Sequence, residues 1–222
     1  MSRKIWIILG VVVALVAGGA WYFLGASGEA ASRLASADNA VTDHDMTMGN
    51  PKAKVVFIEY AAPMCPHCAH FNSEIMPEIK KSYIDTGKVF YVFRVFPIGA
   101  PDGVAEKLAR CMSKAKYFPF MDQLFRRQQE WDPEYGVQDV RGAMLQQARM
   151  AGMSEAQFDA CIADTKQDAV INQVASDGQA KYNITGTPTV VVNGANVSPG
   201  MVPSLEQMKT FLDNALAGKK AN

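Results

Sequence analysis

KVVFIEYAAPMCPHC, Lys54 to Cys68, joins a near-continuous apolar run to two cysteines separated by two residues. Apolar density from Lys54 to Ala62 is what a strand covered on both faces requires. The Cys65-Pro66-His67-Cys68 segment then opens a helix running to about Tyr83, in which Pro77 is a candidate kink. Pro66 falls in the first turn, where a missing N–H costs little. Two sulfurs so placed can close a small disulfide ring and exchange it. The first meets the positive end of the helix dipole and the neighbouring imidazole of His67, both of which favour thiolate. Cys65 is therefore the candidate attacking sulfur, and Cys68, one turn deeper, the buried resolving thiol. Stabilising the reduced form makes the disulfide a stronger oxidant, by about 30 mV for each ~1.4 kcal/mol. A plain structural disulfide and half of a zinc site are the competing readings. Zinc would need a second ligand pair of similar spacing, but only His70 is nearby, and Cys111 and Cys161 stand alone.

Working outward, Gly49-Asn50-Pro51 is a turn before the first run, and Lys88 to Ile98 (KVFYVFRVFPI) is a second strong strand. From Asp102 to about Tyr182 only helical patterns occur. Val104, Leu108, Cys111 and Met112 mark one stripe, and Phe118, Met121, Leu124 and Phe125 another. Ser154-Glu155-Ala156-Gln157 is a capping box opening a helix that carries Phe158, Cys161 and Ile162 on one face. Strand character returns at Thr187 to Val192, followed by an Asn193-Gly194 hairpin turn. Ser204-Leu205-Glu206-Gln207 caps a last helix with Leu205, Met208, Leu212 and Leu216 facing inward. This order gives an α/β core with an all-helical subdomain, about 102–182, spliced into its middle.

The 222 residues suffice for one generous domain with an insertion. Formal charge is zero; without Arg3 and Lys4 of the first 24 residues it becomes 20 basic against 22 acidic, or −2. With no basic patch, nucleic acid is not an expected partner. Ser2-Arg3-Lys4 precedes Ile5 to Leu24, which holds no charge and would span roughly 30 Å as a helix. Trp21, Tyr22 and Phe23 at its far end suit a membrane interface. Residues 1–24 thus read as a membrane anchor with the positive end in the cytoplasm. The rival is a cleaved signal sequence, with Ala17-Gly18-Gly19-Ala20 as the small-residue cleavage site. Either reading exports the chain beyond Leu24, placing four cysteines where disulfides persist. Residues 25–44 read as a flexible linker and 45–222 as the folded domain.

Glu59 lies inside an otherwise buried run, where ionisation is disfavoured and a carboxyl can accept a proton near neutrality. At a strand end facing water it would be an ordinary carboxylate. Pro188 could be a trans proline opening a strand. Cys111 and Cys161, both on apolar helical faces, read as a structural disulfide closing a loop of about 50 residues; the alternative is two buried thiols. His44-x-Met46-x-Met48 has copper-like spacing but coincides with a lead-in strand before Gly49, so no metal site is assigned.

The chain resembles the DsbA-like members of the thioredoxin superfamily, which are exported thiol–disulfide oxidoreductases. The resemblance rests on Cys65-Pro66-His67-Cys68, Glu59 six positions earlier, Gly49-Asn50-Pro51-Lys52-Ala53, the Thr187-Pro188 step and the helical insertion. It covers roughly Asp45 to the C-terminus. It implies a thioredoxin-like fold, a cis-Pro188 facing the redox-active Cys65–Cys68 pair, and a Thr187 backbone that pairs with extended substrate. It also implies reduced or unfolded exported proteins as substrates, a quinone-linked membrane reoxidase of the DsbB type, and no cofactor. Thr187 departs from the prototype oxidase, which has an apolar residue there; threonine is familiar from isomerases and from some DsbA-like proteins. A periplasmic disulfide oxidase is the resulting expectation, held in the inner membrane through residues 1–24 or released by cleavage. An isomerase or reductase on the same scaffold is the first alternative, and a non-catalytic tethered chaperone or metal carrier the second.

Overall fold

The computed structural model describes residues 41–221. The expected anchor or signal sequence, and most of the linker at 25–44, lie outside them. Among the described residues no helix is long and apolar enough to cross a membrane. They belong to one compact unit beginning at Val41.

Five strands form one sheet in the order β1-β3-β2-β4-β5. They are β1 (Met46–Gly49), β2 (Val55–Ala61), β3 (Val89–Val95), β4 (Thr189–Val192) and β5 (Ala195–Asn196). The central pair β2/β3 is parallel, and the other pairings are antiparallel. Parallel pairing needs a crossover, which helix α1 (residues 66–84) supplies. Every residue of β2 and β3 is buried, as their continuous apolar runs require. Alternation along β2 sends Val55, Phe57 and Ala61 to the larger core cluster and Val56, Ile58 and Tyr60 to a smaller one behind the sheet. By the same period Glu59 belongs on the side that carries Cys65 and Cys68.

Pro77 does not end α1. The helix alternates α-turns (Pro66–His70, Met76–Ile79) with π-turns (Phe71–Ile75, Lys80–Ile84), and Pro77 sits in the first turn of Met76–Ile79. The wider π-turn before it makes room for a ring that lacks a donor. The fourth strand begins at Thr189 rather than Thr187, because Pro188 has no N–H for the ladder.

Between β3 and β4 lie only helices: α2 (Ala100–Cys111), α3 (Lys114–Arg126), α4 (Gln128–Trp131), a 3-10 turn (Pro133–Tyr135), α5 (Val140–Met150), α6 (Glu155–Ile162) and α7 (Thr165–Tyr182). Both expected capping boxes form, at Ser154/Gln157 before α6 and at Ser204/Gln207 before α8 (Leu205–Leu216). Met208 and Leu212 of α8 are fully buried, while Leu205 and Leu216 are half-buried at its ends. Met46 and Met48 pack against the core from β1, as ordinary strand residues do. This is the α/β core with a helical insertion that the residue pattern implied, and the thioredoxin-like fold that the resemblance implied.

Candidate redox site

β2 stops at Ala61, and the short segment Ala62-Pro63-Met64 turns the chain so that Cys65 becomes the N-cap of α1. The cap backbone is extended (φ −72°, ψ 118°), and no side chain caps this helix end. Its first amides therefore remain free for the sulfur. Cys65 is 5% exposed and Cys68 fully buried, both as free thiols. The Cys65 thiol donates to the main-chain oxygen of Thr187 at 3.3 Å, so the Thr187-Pro188 loop lies directly against the first sulfur. The peptide bond before Pro188 is cis.

The two thiols are driven apart in acidity. Cys65 is lowered from 9.0 to about 5: the Cys68 thiol donates to it, and the Thr187 hydroxyl and the main-chain amides of Cys68 and His67 add to this against the opposing effect of burial. Cys68 is pushed well above its ordinary value by burial, by its hydrogen bond to Cys65 and by the charges of Cys65 and Glu59. His67 differs from expectation. Its side chain is exposed at the mouth of the site, and what it gives the sulfur is its main-chain N–H rather than its imidazole. In the first helical turn the backbone donors face the cap position while side chains radiate outward.

Glu59 is 1% exposed and is not at a water-facing strand end. Burial raises its carboxyl from 4.5 to about 7; the Tyr91 hydroxyl, donating to Oε2 at 2.7 Å, pulls the other way, and the charge of Cys65 raises it further. Tyr91 escaped the sequence reading. Its signal was that a tyrosine hydroxyl in a doubly buried strand must find a partner. Two residues of the insertion were missed as well. Asp102 accepts from the amides of Met64 (2.7 Å), Ile98 (2.9 Å) and Gly99 (3.0 Å). Its carboxyl is raised to about 6 by burial, against those three donors, with the charge of Asp132 adding to the rise. Gln128 donates to the main-chain oxygens of Pro63 (2.7 Å) and Cys65 (3.0 Å). Nothing in the local sequence distinguishes Gln128 from a surface glutamine.

Cys111, at the end of α2, is bonded to Cys161 in α6, with Cα atoms 6.1 Å apart and a sequence separation of 50. Among the described residues no group of three or more His, Cys, Asp or Glu side chains is placed to hold a metal ion.

Sheet order, a dithiol at the head of α1 and a cis-proline loop against the first sulfur define a dithiol protein of the thioredoxin class. A family model described as Thioredoxin matches residues 41–214, and the chain belongs to that family. A Rickettsia conorii relative named "Putative protein-disulfide oxidoreductase" is 34% identical over 180 residues, covering 81% of this chain and 63% of its own length. The Bacillus subtilis "Disulfide bond formation protein D" is 24% identical, covering 78% of this chain and 77% of the relative. The crystal structure of Wolbachia pipientis alpha-DsbA1 superposes with a TM-score of 0.71 at 28% identity, over 80% of this chain and 94% of that one. The chain thus spans just under two thirds of the Rickettsia conorii relative but nearly all of the Wolbachia structure.

Proposed function

We propose that this chain is an exported thiol–disulfide oxidoreductase that introduces disulfide bonds into newly exported proteins through Cys65 and Cys68. The observation that carries the reading is the placement of the pair, with Cys65 at the N-cap of α1 against the Thr187 oxygen and Cys68 fully buried behind it, which lowers the first thiol to about 5 and raises the second well above 9.0. In the oxidised enzyme a substrate thiolate attacks Sγ of Cys65, and the S–S electron pair leaves on Cys68. That weakly acidic sulfur takes a proton, which Glu59 supplies in this reading. A second substrate thiolate then attacks the substrate sulfur of the mixed disulfide and expels Cys65 as a stable thiolate. Two substrate sulfurs are oxidised and the enzyme pair is reduced. The low pKa of Cys65 as leaving group speeds the last step, and Glu59 recovers the proton when the pair is reoxidised. The main chain at Thr187 and cis-Pro188 provides the ledge on which an extended substrate segment lies.

Reduced exported proteins are the substrates in this reading, and a quinone-linked membrane protein of the DsbB type is the oxidant. Residues 1–24 serve as anchor or signal, 25–44 as linker and 45–222 as the catalytic domain in the periplasm. N-terminal sequencing of the mature protein separates anchor from cleaved signal. Isomerase or reductase activity is the second reading, favoured by the Thr187 hydroxyl beside Cys65. Recovery of a fully reduced and of a scrambled-disulfide test protein distinguishes the two. Fast rescue of the reduced form alone supports the oxidase, and efficient rescue of the scrambled form overturns it.

A further inference from the structure

We propose that Gln128 and Asp102, both contributed by the helical insertion, are positioning residues that hold the Pro63-Met64-Cys65 segment so that the Cys65 sulfur stays on the amides of α1 and against Thr187. This rests on the reading of Cys65 as the exchanging sulfur. Three consecutive residues are gripped by just two side chains. Gln128 spends its amide group on the oxygens of Pro63 and Cys65, and Asp102 receives the N–H of Met64 between them. The Cys65 oxygen also accepts the N–H of Ala69 at 3.1 Å, the first hydrogen bond of α1. Gln128 therefore holds the same peptide unit that begins the helix, immediately beside the cap position.

Burial makes this grip consequential. Gln128 is 5% exposed and Asp102 fully buried, so Nε2 of Gln128 and both oxygens of Asp102 have exchanged water for these partners. Asp102 also binds the amides of Ile98 and Gly99, tying the loop that ends β3 to the loop that ends β2. Met64 closes the arrangement from the other side. A Cβ at Gly99 would fall 2.7 Å from its sulfur, so loop and loop are in close contact. The insertion thereby reaches the cap residue itself, and its relation to the dithiol is more than a lid over the core.

Losing the two Gln128 donors leaves the Pro63 oxygen unsatisfied and the cap peptide held by one bond. The expected result is a cap that rotates, a sulfur further from the Cys68 and His67 amides, and a weaker thiolate. The probe is the pH dependence of Cys65 alkylation by iodoacetamide, located by peptide mass in the reduced full-length protein, together with redox equilibration against glutathione. Gln128→Leu, similar in volume, should raise the alkylation midpoint by about one pH unit. It should also lower the equilibrium constant for oxidising glutathione roughly tenfold, the same free energy read twice. Asp102→Asn keeps the shape but loses one acceptor oxygen, and should move both readouts in the same direction; it answers the question if Gln128→Leu does not fold. Tyr117→Phe is the structural control, because its buried hydroxyl serves Glu106 and not the 63–65 segment. It should lower the melting temperature and leave both Cys65 readouts unchanged. Variants that lose stability while Cys65 titrates and equilibrates as in the wild type would overturn the proposal. A wild-type protein that fails to oxidise a reduced test protein, alongside a shifted midpoint in Gln128→Leu, would instead sink the proposed function and leave this inference standing.

Discussion

Burial lifts the Glu59 carboxyl from 4.5 to about 7, so the folded protein keeps a proton there at pH values where the unfolded chain has released it. A raised acid contributes stability that is complete below about 4.5 and is lost as pH rises through 7. Above that, ionising the buried carboxyl costs the folded state roughly 3 kcal/mol. Glu59→Gln removes the titration. Thermal melts of the reduced protein should match the wild type near pH 4 and exceed it by several degrees at pH 8. Equal melting temperatures at pH 8 would mean that Glu59 ionises freely. The same variant should slow attack of Cys68 on a mixed disulfide held at Cys65, the reverse of the first exchange step, by about ten-fold or more at pH 7, since Cys68 must lose a proton to attack and general acid–base help is typically worth 10²–10⁴. Tyr91→Phe acts in the opposite sense on the carboxylate, because the lost hydroxyl was stabilising its charged form. The pH midpoint of mixed-disulfide resolution by Cys68, followed by quenched-flow alkylation, should rise in that variant. A midpoint that falls or stays fixed would remove Tyr91 from the proton path.

Elements show why some of this was legible and some was not. A seven-residue strand buried on both faces announces itself as an unbroken apolar run, and Glu59 stands out within it as the one carboxylate. Cys65-Pro66-His67-Cys68 is likewise local. Capping boxes at Ser154 and Ser204 need only four residues each to be read. Gln128 and Asp102 act on residues 63 and 38 positions away, and no local pattern encodes such a contact. The first π-turn of α1, Phe71–Ile75, was hidden for a related reason, since it makes room for Pro77 within a packed helix. Gly178 belongs with these long-range features. It sits on the buried side of α7, where a Cβ would lie 2.4 Å from the Tyr60 ring. That ring cannot easily give way, because it is fully buried and its hydroxyl accepts from Arg94 at 2.8 Å. Alanine is the better helix former by about 1 kcal/mol, so propensity alone favours Gly178→Ala. Overpacking of about 1–3 kcal/mol should outweigh it, and a denaturant midpoint below the wild type checks the balance. A stabilised variant would show that α7 can slide off the sheet at no cost.

At the scale of the molecule the helical insertion has two fastenings with different jobs. One is the hold of Gln128 and Asp102 on the cap segment. The other is the Cys111–Cys161 bond, which joins the end of α2 to α6 and whose cysteines accept hydrogen bonds from Gln167 and Asp164, within the insertion. Closing 50 positions of chain restricts the unfolded state, and a bond of that span is worth about 2–4 kcal/mol. Cys111→Ala with Cys161→Ala should therefore lower stability by that amount in denaturant titrations. The slope of the transition should steepen as the unfolded chain expands. The alkylation midpoint of Cys65 and its equilibrium with glutathione should not move, because the groups acting on that thiol, Cys68, the His67 amide and Thr187, and the side chains of Gln128 and Asp102 that hold its segment, include neither cysteine of the bond. Combined with Gln128→Leu, the stability losses should add within about 0.5 kcal/mol, as they do for sites without shared partners. The Cys65 shift in the triple variant should equal that of Gln128→Leu alone. A Cys65 midpoint displaced by the cysteine substitutions would instead show that the far fastening reaches the dithiol through the packed helices between them.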